Sequence, residues 1–194
     1  MKKKNFTFNS FYLDYIKLLN LELLNIDKNQ LKKAANLLIK KIKNKKSIYV
    51  CGNGGSAAIS NHYICDYLKL IRTFTKFKPK IYSLSNNIET VTAIANDISY
   101  DEVFKYQAES YCNKDDLIII ISSSGNSKNV IKLLNFANKN KIQTIGFCGF
   151  KGGYLKKKST IPVHVNVNNY GISEDSHHIL MHVIMQYIIK NFKK

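Results

Sequence analysis

Arginine is nearly absent from this chain: Arg72 is the only one among thirty basic side chains, and the rest are lysine. A formal net charge of +17 at pH 7 would ordinarily point to nucleic acid, because basic side chains that neutralise phosphates supply non-specific affinity. Arginine, however, is the side chain suited to bidentate phosphate and base recognition. Here lysine is abundant together with asparagine and isoleucine, a bias of composition rather than a built basic stripe. The lysine-rich stretches at residues 2–4, 40–46, 156–158 and 193–194 fall at ends and connections, where a solvated face is expected. No nucleic-acid partner is expected.

Long apolar runs are lacking too. Met1-Lys2-Lys3-Lys4 has the charge of a signal-peptide start, but Asn5, Thr7, Asn9, Ser10 and Asp14 interrupt the stretch after it, so no apolar targeting core and no membrane span are expected. The four cysteines, Cys51, Cys65, Cys112 and Cys148, are scattered without a C-x-x-C pair, which excludes a disulfide framework and fits a reducing cytoplasm. Cys51 and Cys148 end strand-like runs and read as inert, semi-buried small residues. Of the two prolines, Pro79 and Pro162, each is placed just before a predicted strand. With no repeat, linker or low-complexity segment, residues 1–194 read as a single domain, with residues 1–45 as a helical extension packed on it.

What is present is a strict order of elements. Phe11, Ile16, Leu19 and Leu23, then Leu31, Ala34, Leu37, Leu38 and Ile42, have helical spacing and predict two helices that break near Asn25-Ile26-Asp27. Beyond Lys46 short apolar runs at residues 48–51, 81–84, 117–121, 144–148 and 163–167 alternate with helical stretches long enough to be crossovers. That alternation predicts βαβ units and a parallel sheet. The unbroken Leu117-Ile118-Ile119-Ile120-Ile121 reads as a central strand buried on both faces. Ligands of open parallel sheets bind beyond the carboxyl ends of the strands, which directs attention to the segments after these runs.

Two of those segments have the form of phosphate cradles. Gly52-Asn53-Gly54-Gly55-Ser56-Ala57-Ala58 leads from the first strand into a helix, whose free N–H groups and positive dipole end suit an anion. Lacking Gly-Lys-Ser/Thr and a G-x-G-x-x-G pattern, it does not suggest a nucleotide. Ser122-Ser123-Ser124-Gly125-Asn126-Ser127 follows the central strand and can surround a phosphate with hydroxyls and amides alone. The competing explanation is that Ser56 or Ser127 merely caps a helix. One such loop would leave the two readings level; a pair in one short chain favours phosphate.

The ionisable residues are grouped as well. His62 and Asp66 lie at i and i+4 on the helix after the first loop. Glu174, Asp175, His177, His178 and His182 form the densest cluster in the chain, on a last helix where His178 and His182 share a face. One of His177 and His178 is expected to face solvent, and His164 to be structural. His62, Asp66, Glu174 and His182 supply the nitrogen and oxygen donors of a zinc site; the same groups could instead be an acid/base set.

On these residues the chain resembles the phosphoheptose (sedoheptulose 7-phosphate) isomerases of the SIS-domain superfamily. The likeness rests on the leading helices, the loop at residues 52–58, Thr92-Ala93-Ile94-Ala95-Asn96-Asp97, the serine loop, residues 149–153 and the Glu-Asp-x-His-x-x-x-x-His pattern from Glu174 to His182. It implies a three-layer α/β sandwich around a parallel sheet, assembled as a homotetramer whose active sites are lined by more than one subunit. Asn53, Gly54, Gly55, Ser56, Asn96, Asp97, Ser122, Ser123, Ser124 and Ser127 would then contact the sugar phosphate. His62, Asp66, Glu174 and His182 would take the zinc and catalytic positions, with Asp66, Glu174 and His182 carrying the chemistry. The implied reaction is the aldose–ketose isomerisation of sedoheptulose 7-phosphate to D-glycero-D-manno-heptose 7-phosphate, an early step toward the heptoses of lipopolysaccharide and capsule. Asp66 stands where the family usually has Glu, Glu174 where it has Gln, and Leu70 where it has a basic residue. The open alternatives are an isomerase of another phosphosugar and a non-catalytic SIS-fold adaptor for a partner protein.

Overall fold

The computed structural model describes residues 7–194, so the basic Met1-Lys2-Lys3-Lys4 opening lies outside the described residues. Two helices, α1 (Phe8–Asn25) and α2 (Lys28–Lys43), come first. Their break has a local cause: Ile26 is extended and buried, and the Asp27 carboxylate accepts the N–H groups of Asn29 and Gln30 as the N-cap of α2. The alternating part comes next as β1 (Ser47–Gly52), α3 (Gly55–Cys65), a short α4 (Arg72–Phe74), β2 (Lys80–Ser83), α5 (Ile88–Ile94) and α6 (Val103–Tyr111). It continues through β3 (Leu117–Ser122), α7 (Lys128–Lys139), β4 (Gln143–Cys148), α8 (Gly153–Lys158), β5 (Ile161–His164) and α9 (Tyr170–Phe192).

All five strands are parallel, in the order β2-β1-β3-β4-β5. Central β3 shows why its sequence is uniformly aliphatic. Leu117, Ile119 and Ile121 pack into one layer with α2, α3 and α9, while Ile118 and Ile120 pack into the other with α6 and α7. Every residue from 117 to 121 has no exposed surface, and each such side chain contributes roughly 1.5–3 kcal/mol of burial. The result is the expected α/β sandwich. The chain winds outward from β1 to β2 on one side and from β3 to β5 on the other, so the strand order reverses between β1 and β3 and opens a crevice at their carboxyl ends. Both glycine- and serine-rich loops leave the sheet there.

Two details differ from expectation. Pro162 lies within β5 rather than before it, and the strand ends at His164. As an edge strand β5 pairs only with β4, Pro162 standing opposite Gly146, so the missing N–H breaks no ladder. A turn closed by Val167 N–H onto the Val165 carbonyl lies just beyond the strand end. In the lysine-rich stretch at the end of α2, Lys41 is buried rather than solvated: its Nζ donates to the carbonyls of Asp115 (2.6 Å) and Asp116 (3.2 Å). Burial lowers its pKa, against the attraction of Asp115 and Asp116. Among the described residues no helix is long and apolar enough to cross a membrane.

Candidate active site

The first loop turns at Gly54, the N-cap of α3, which no side chain caps. Gly55 leaves room for its neighbour: a Cβ there would meet the carboxylate of Glu174, which would have to shift. Glu174, from the start of α9, therefore rests on the first turn of α3. Ser56 is buried inside that turn and does not cap the helix. In the second loop Gly125 adopts φ +64°, a conformation open to glycine, and its N–H returns to Ser122 O (3.1 Å) and Oγ (3.2 Å). Ser124 Oγ accepts the Asn126 N–H, and the buried Ser123 Oγ has no partner. Ser127 occupies the N-cap of α7 but makes no capping bond with its side chain. Neither Ser56 nor Ser127 thus caps a helix through its hydroxyl, as the competing explanation of the loops requires.

Beyond the loops α3 does not continue as a regular helix. Asp66–Ile71 is π-helical, and a second π-helical segment, Ala95–Ser99, carries Asn96 and Asp97. Such segments are rare and concentrate at functional sites. Asn96 Nδ2 donates to Asp97 Oδ1 at 2.8 Å, and both residues are exposed.

Asp66 begins the first π segment and is only 7% exposed. Its Oδ2 stands 3.0 Å from His182 Nε2 and 3.5 Å from His62 Nε2, and the two Nε2 atoms are 3.2 Å apart. His178, one turn before His182 on α9, completes an imidazole triangle, its ring centroid 4.8 Å from those of both His62 and His182. The ligand atoms of His62, His178 and His182 lie within 4.8 Å of one another, so this cluster can chelate a metal ion. Two donors bound to zinc at about 2.0–2.1 Å in tetrahedral array stand about 3.3 Å apart, close to the spacings found around Asp66. The His178 Nε2 is moreover buried without a partner. The donor set therefore fits a divalent cation. Burial, then the neighbouring His182 and His62 rings, lower the His178 pKa and favour the neutral ring.

Of the His177-His178 pair His177 is buried, and His178 is half-buried with its Nε2 covered within the cluster. His177 is 1% exposed and sets its ring edge-on against Phe147 of β4, 5.9 Å between centroids. Burial holds its pKa down to about 4. The reason is that α9 is sandwiched, one face on the sheet and the next on α3. Glu174 has its pKa raised by burial and then by Asp175. Asp175 in turn accepts the Tyr15 hydroxyl of α1 at 2.6 Å. His164 is bonded at the Phe150 carbonyl, 2.8 Å away, in keeping with a structural role. The sequence pattern shows the shared face of His178 and His182 but does not by itself assign His178 to the cluster. Tyr15, Tyr100 and Asn129, which contact site residues, carry no signal in the sequence.

The fold and the two loops have counterparts among known proteins. Residues 11–149, which include both loops, His62 and Asp66, match the family model for the SIS domain. The phosphoheptose isomerase of Helicobacter pylori (strain P12) is 36% identical over 162 residues, covering 84% of each chain. That of Aliarcobacter butzleri (strain RM4018) is 37% identical over 158 residues, covering 81% of this chain and 83% of the relative. The chain belongs to the phosphoheptose isomerase family of SIS-domain proteins. Among solved structures, the phosphoheptose isomerase from Neisseria gonorrhoeae superposes with a TM-score of 0.83 at 26% identity, over 93% of this chain and 95% of that one. The SIS-domain model stops before α9, so Glu174, His178 and His182 lie outside it.

Proposed function

We propose that this chain is a phosphoheptose isomerase acting on sedoheptulose 7-phosphate, which it converts to D-glycero-D-manno-heptose 7-phosphate for heptose biosynthesis. The observation that carries the reading is the meeting of Asp66, His62 and His182 beside the crevice where two anion-suited loops open.

In this reading Ser122, Ser123, Ser124 and Ser127 hold the phosphate through hydroxyls and amides at the start of α7. Asn53, Gly54, Gly55, Ser56, Asn96 and Asp97 line the sugar. Anchoring the phosphate makes proton transfer at the other end of the substrate effectively unimolecular. Glu174 stands where the family has the uncharged Gln, so the base is assigned to Asp66, at the position of the family's usual Glu and 3.0 Å from His182 Nε2. Asp66 takes a proton from C1 of the open ketose and returns it to C2. His182 carries a proton from O1 to O2, so that the enediolate between the two steps is never left unbalanced. The 3.0 Å approach of Asp66 Oδ2 to His182 Nε2 keeps the base and the proton carrier side by side. A zinc ion would be held by His62, Asp66, His178 and His182; it would occupy the His182 nitrogen otherwise open to a proton and would in its place polarise the sugar's carbonyl and hydroxyl oxygens.

The assembly belongs to the same proposal. Helix α1 has no buried residue, and Phe8, Phe11, Tyr12, Leu13, Ile16, Leu21 and Leu24 are all exposed on it. An apolar surface of that extent suits an interface, here with further copies of the chain in a homotetramer that brings neighbouring subunits close to the Tyr15–Asp175 contact.

The test is conversion of sedoheptulose 7-phosphate in deuterated water, monitored by NMR of the sugar protons. Appearance of the heptose 7-phosphate, with loss of turnover of about a hundredfold or more in Asp66→Asn, is the expected result. Sugar-phosphate binding without any conversion by the wild-type protein would overturn it in favour of a non-catalytic binding role.

A further inference from the structure

Asn53 follows β1 and Asn129 sits in the first turn of α7, 76 positions later, yet their side-chain amides face each other in a reciprocal pair. Asn53 Nδ2 donates to Asn129 Oδ1 and Asn129 Nδ2 donates to Asn53 Oδ1, each at 2.9 Å. The direction of both amides is set by the main chain. The Val130 N–H, which can only donate, lies 2.9 Å from the same Asn129 atom and so identifies it as oxygen. Asn129 is 2% exposed, so turning its amide over would set an N–H against the Val130 N–H with no water to relieve it. Its orientation then dictates that of Asn53. Asn53 Oδ1 meets a second group, the Tyr100 hydroxyl at 2.9 Å, which must donate to it.

The inventory of Asn53 is then nearly exhausted. Both lone pairs of Oδ1 are filled, by Asn129 and by Tyr100, and one of the two Nδ2 protons is spent on Asn129. A single N–H remains. We propose that Asn129 and Tyr100 are positioning residues that fix Asn53 as a one-proton donor, so that it recognises an oxygen that accepts and never one that must donate. The inference rests on the reading that Asn53 contacts the sugar phosphate, and it narrows that contact to a phosphate, carbonyl or hydroxyl oxygen acting as acceptor. The same three side chains tie together the glycine loop, the helix that follows the serine loop, and, through Tyr100, the end of the π-helical segment that carries Asn96 and Asp97. Three walls of the crevice therefore hold a common register before any ligand arrives, which is the arrangement that lowers the ordering cost of binding.

A double-mutant cycle decides the matter, with KM, kcat and thermal midpoint measured for Asn53→Ala, Asn129→Asp and Tyr100→Phe, and for each of the latter two combined with Asn53→Ala. Asn129→Asp keeps the shape but removes the donor that fills Asn53 Oδ1; Tyr100→Phe removes the other donor at an exposed position where folding is not at risk. Asn53→Ala is expected to raise KM about tenfold, Asn129→Asp by a similar factor, and Tyr100→Phe about fivefold, with kcat held within about twofold for Tyr100→Phe. In the Asn53→Ala background both further substitutions should change KM by less than about twofold. Full additivity there would overturn the positioning role. An unchanged KM in Asn53→Ala alone would instead overturn the sugar-phosphate contact on which it rests. Should Asn129→Asp fail to fold, the Tyr100→Phe arm of the cycle distinguishes coupling from additivity by itself.

Discussion

The Nε2 atoms of His62 and His182, 120 positions apart in the chain, stand 3.2 Å from each other and share Asp66 Oδ2 as a neighbour. Two imidazole nitrogens at that separation repel through their lone pairs unless a proton or a cation lies between them. With His178 closing the triangle, a cation is the arrangement that satisfies every donor.

Metal content is the first consequence. The purified protein is expected to bind about one zinc per chain, and His178→Ala to weaken zinc binding by roughly ten- to a hundredfold, as read by equilibrium dialysis with elemental analysis. Unchanged zinc affinity in His178→Ala would remove that residue from the ligand set.

Gly55 and Glu174 allow stability and catalysis to be separated. In Gly55→Ala the new methyl displaces a flexible carboxylate rather than backbone, so the fold should lose no more than about 1 kcal/mol. Turnover should drop by about tenfold or more because Glu174, proposed to lie at the sugar, is pushed aside. Parallel thermal melts and progress curves check both halves; full activity in Gly55→Ala would show that the observed position of Glu174 is irrelevant to the reaction.

His164 predicts an acid sensitivity. Burial lowers its pKa in the folded chain below the ordinary value of about 6.5. As pH falls through that ordinary value the unfolded chain takes up the proton before the folded one does, so stability is lost on going down in pH and is unaffected above it. His164→Gln can keep a donor to the Phe150 carbonyl without titrating. The gap between urea midpoints of wild type and variant should therefore shift in favour of the variant between pH 7.5 and 5.5, values chosen about one unit to either side of that ordinary pKa. A gap independent of pH would refute the assignment.

The apolar surface of α1 bears on assembly. Phe11 and Ile16, 58% and 44% exposed, are expected to lie between copies of the chain. Changing both to serine should lower the mass seen by light scattering while leaving the far-ultraviolet circular dichroism unchanged. An unaltered mass would place the interface elsewhere.

Much of this molecule is legible in residue order alone. The helix break at Ile26-Asp27 and the five strand-like runs are local matters of period and capping, and the central strand declares itself because Leu117 to Ile121 has no polar alternate. The two loops also declare themselves, since glycine and serine are concentrated in each directly after a strand. Residue order does not place Pro162 inside its strand, because the edge position that makes proline harmless there depends on which strands lie beside it.

The amino-acid sequence by itself therefore determined the alternating α/β architecture, the parallel sheet, the anion-suited loops and the family to which the chain belongs, because each depends on neighbours within a few residues. Only the tertiary structure decided what those residues meet. It set His178, half-buried, beside His62 and His182, turned His177 into the core against Phe147, laid Glu174 on Gly55, and paired Asn53 with Asn129. Each of these depends on the packing of α9 or α7 against elements far away in the chain, more than seventy positions in the case of Asn53 and Asn129, where distance along the sequence carries no information about distance in space.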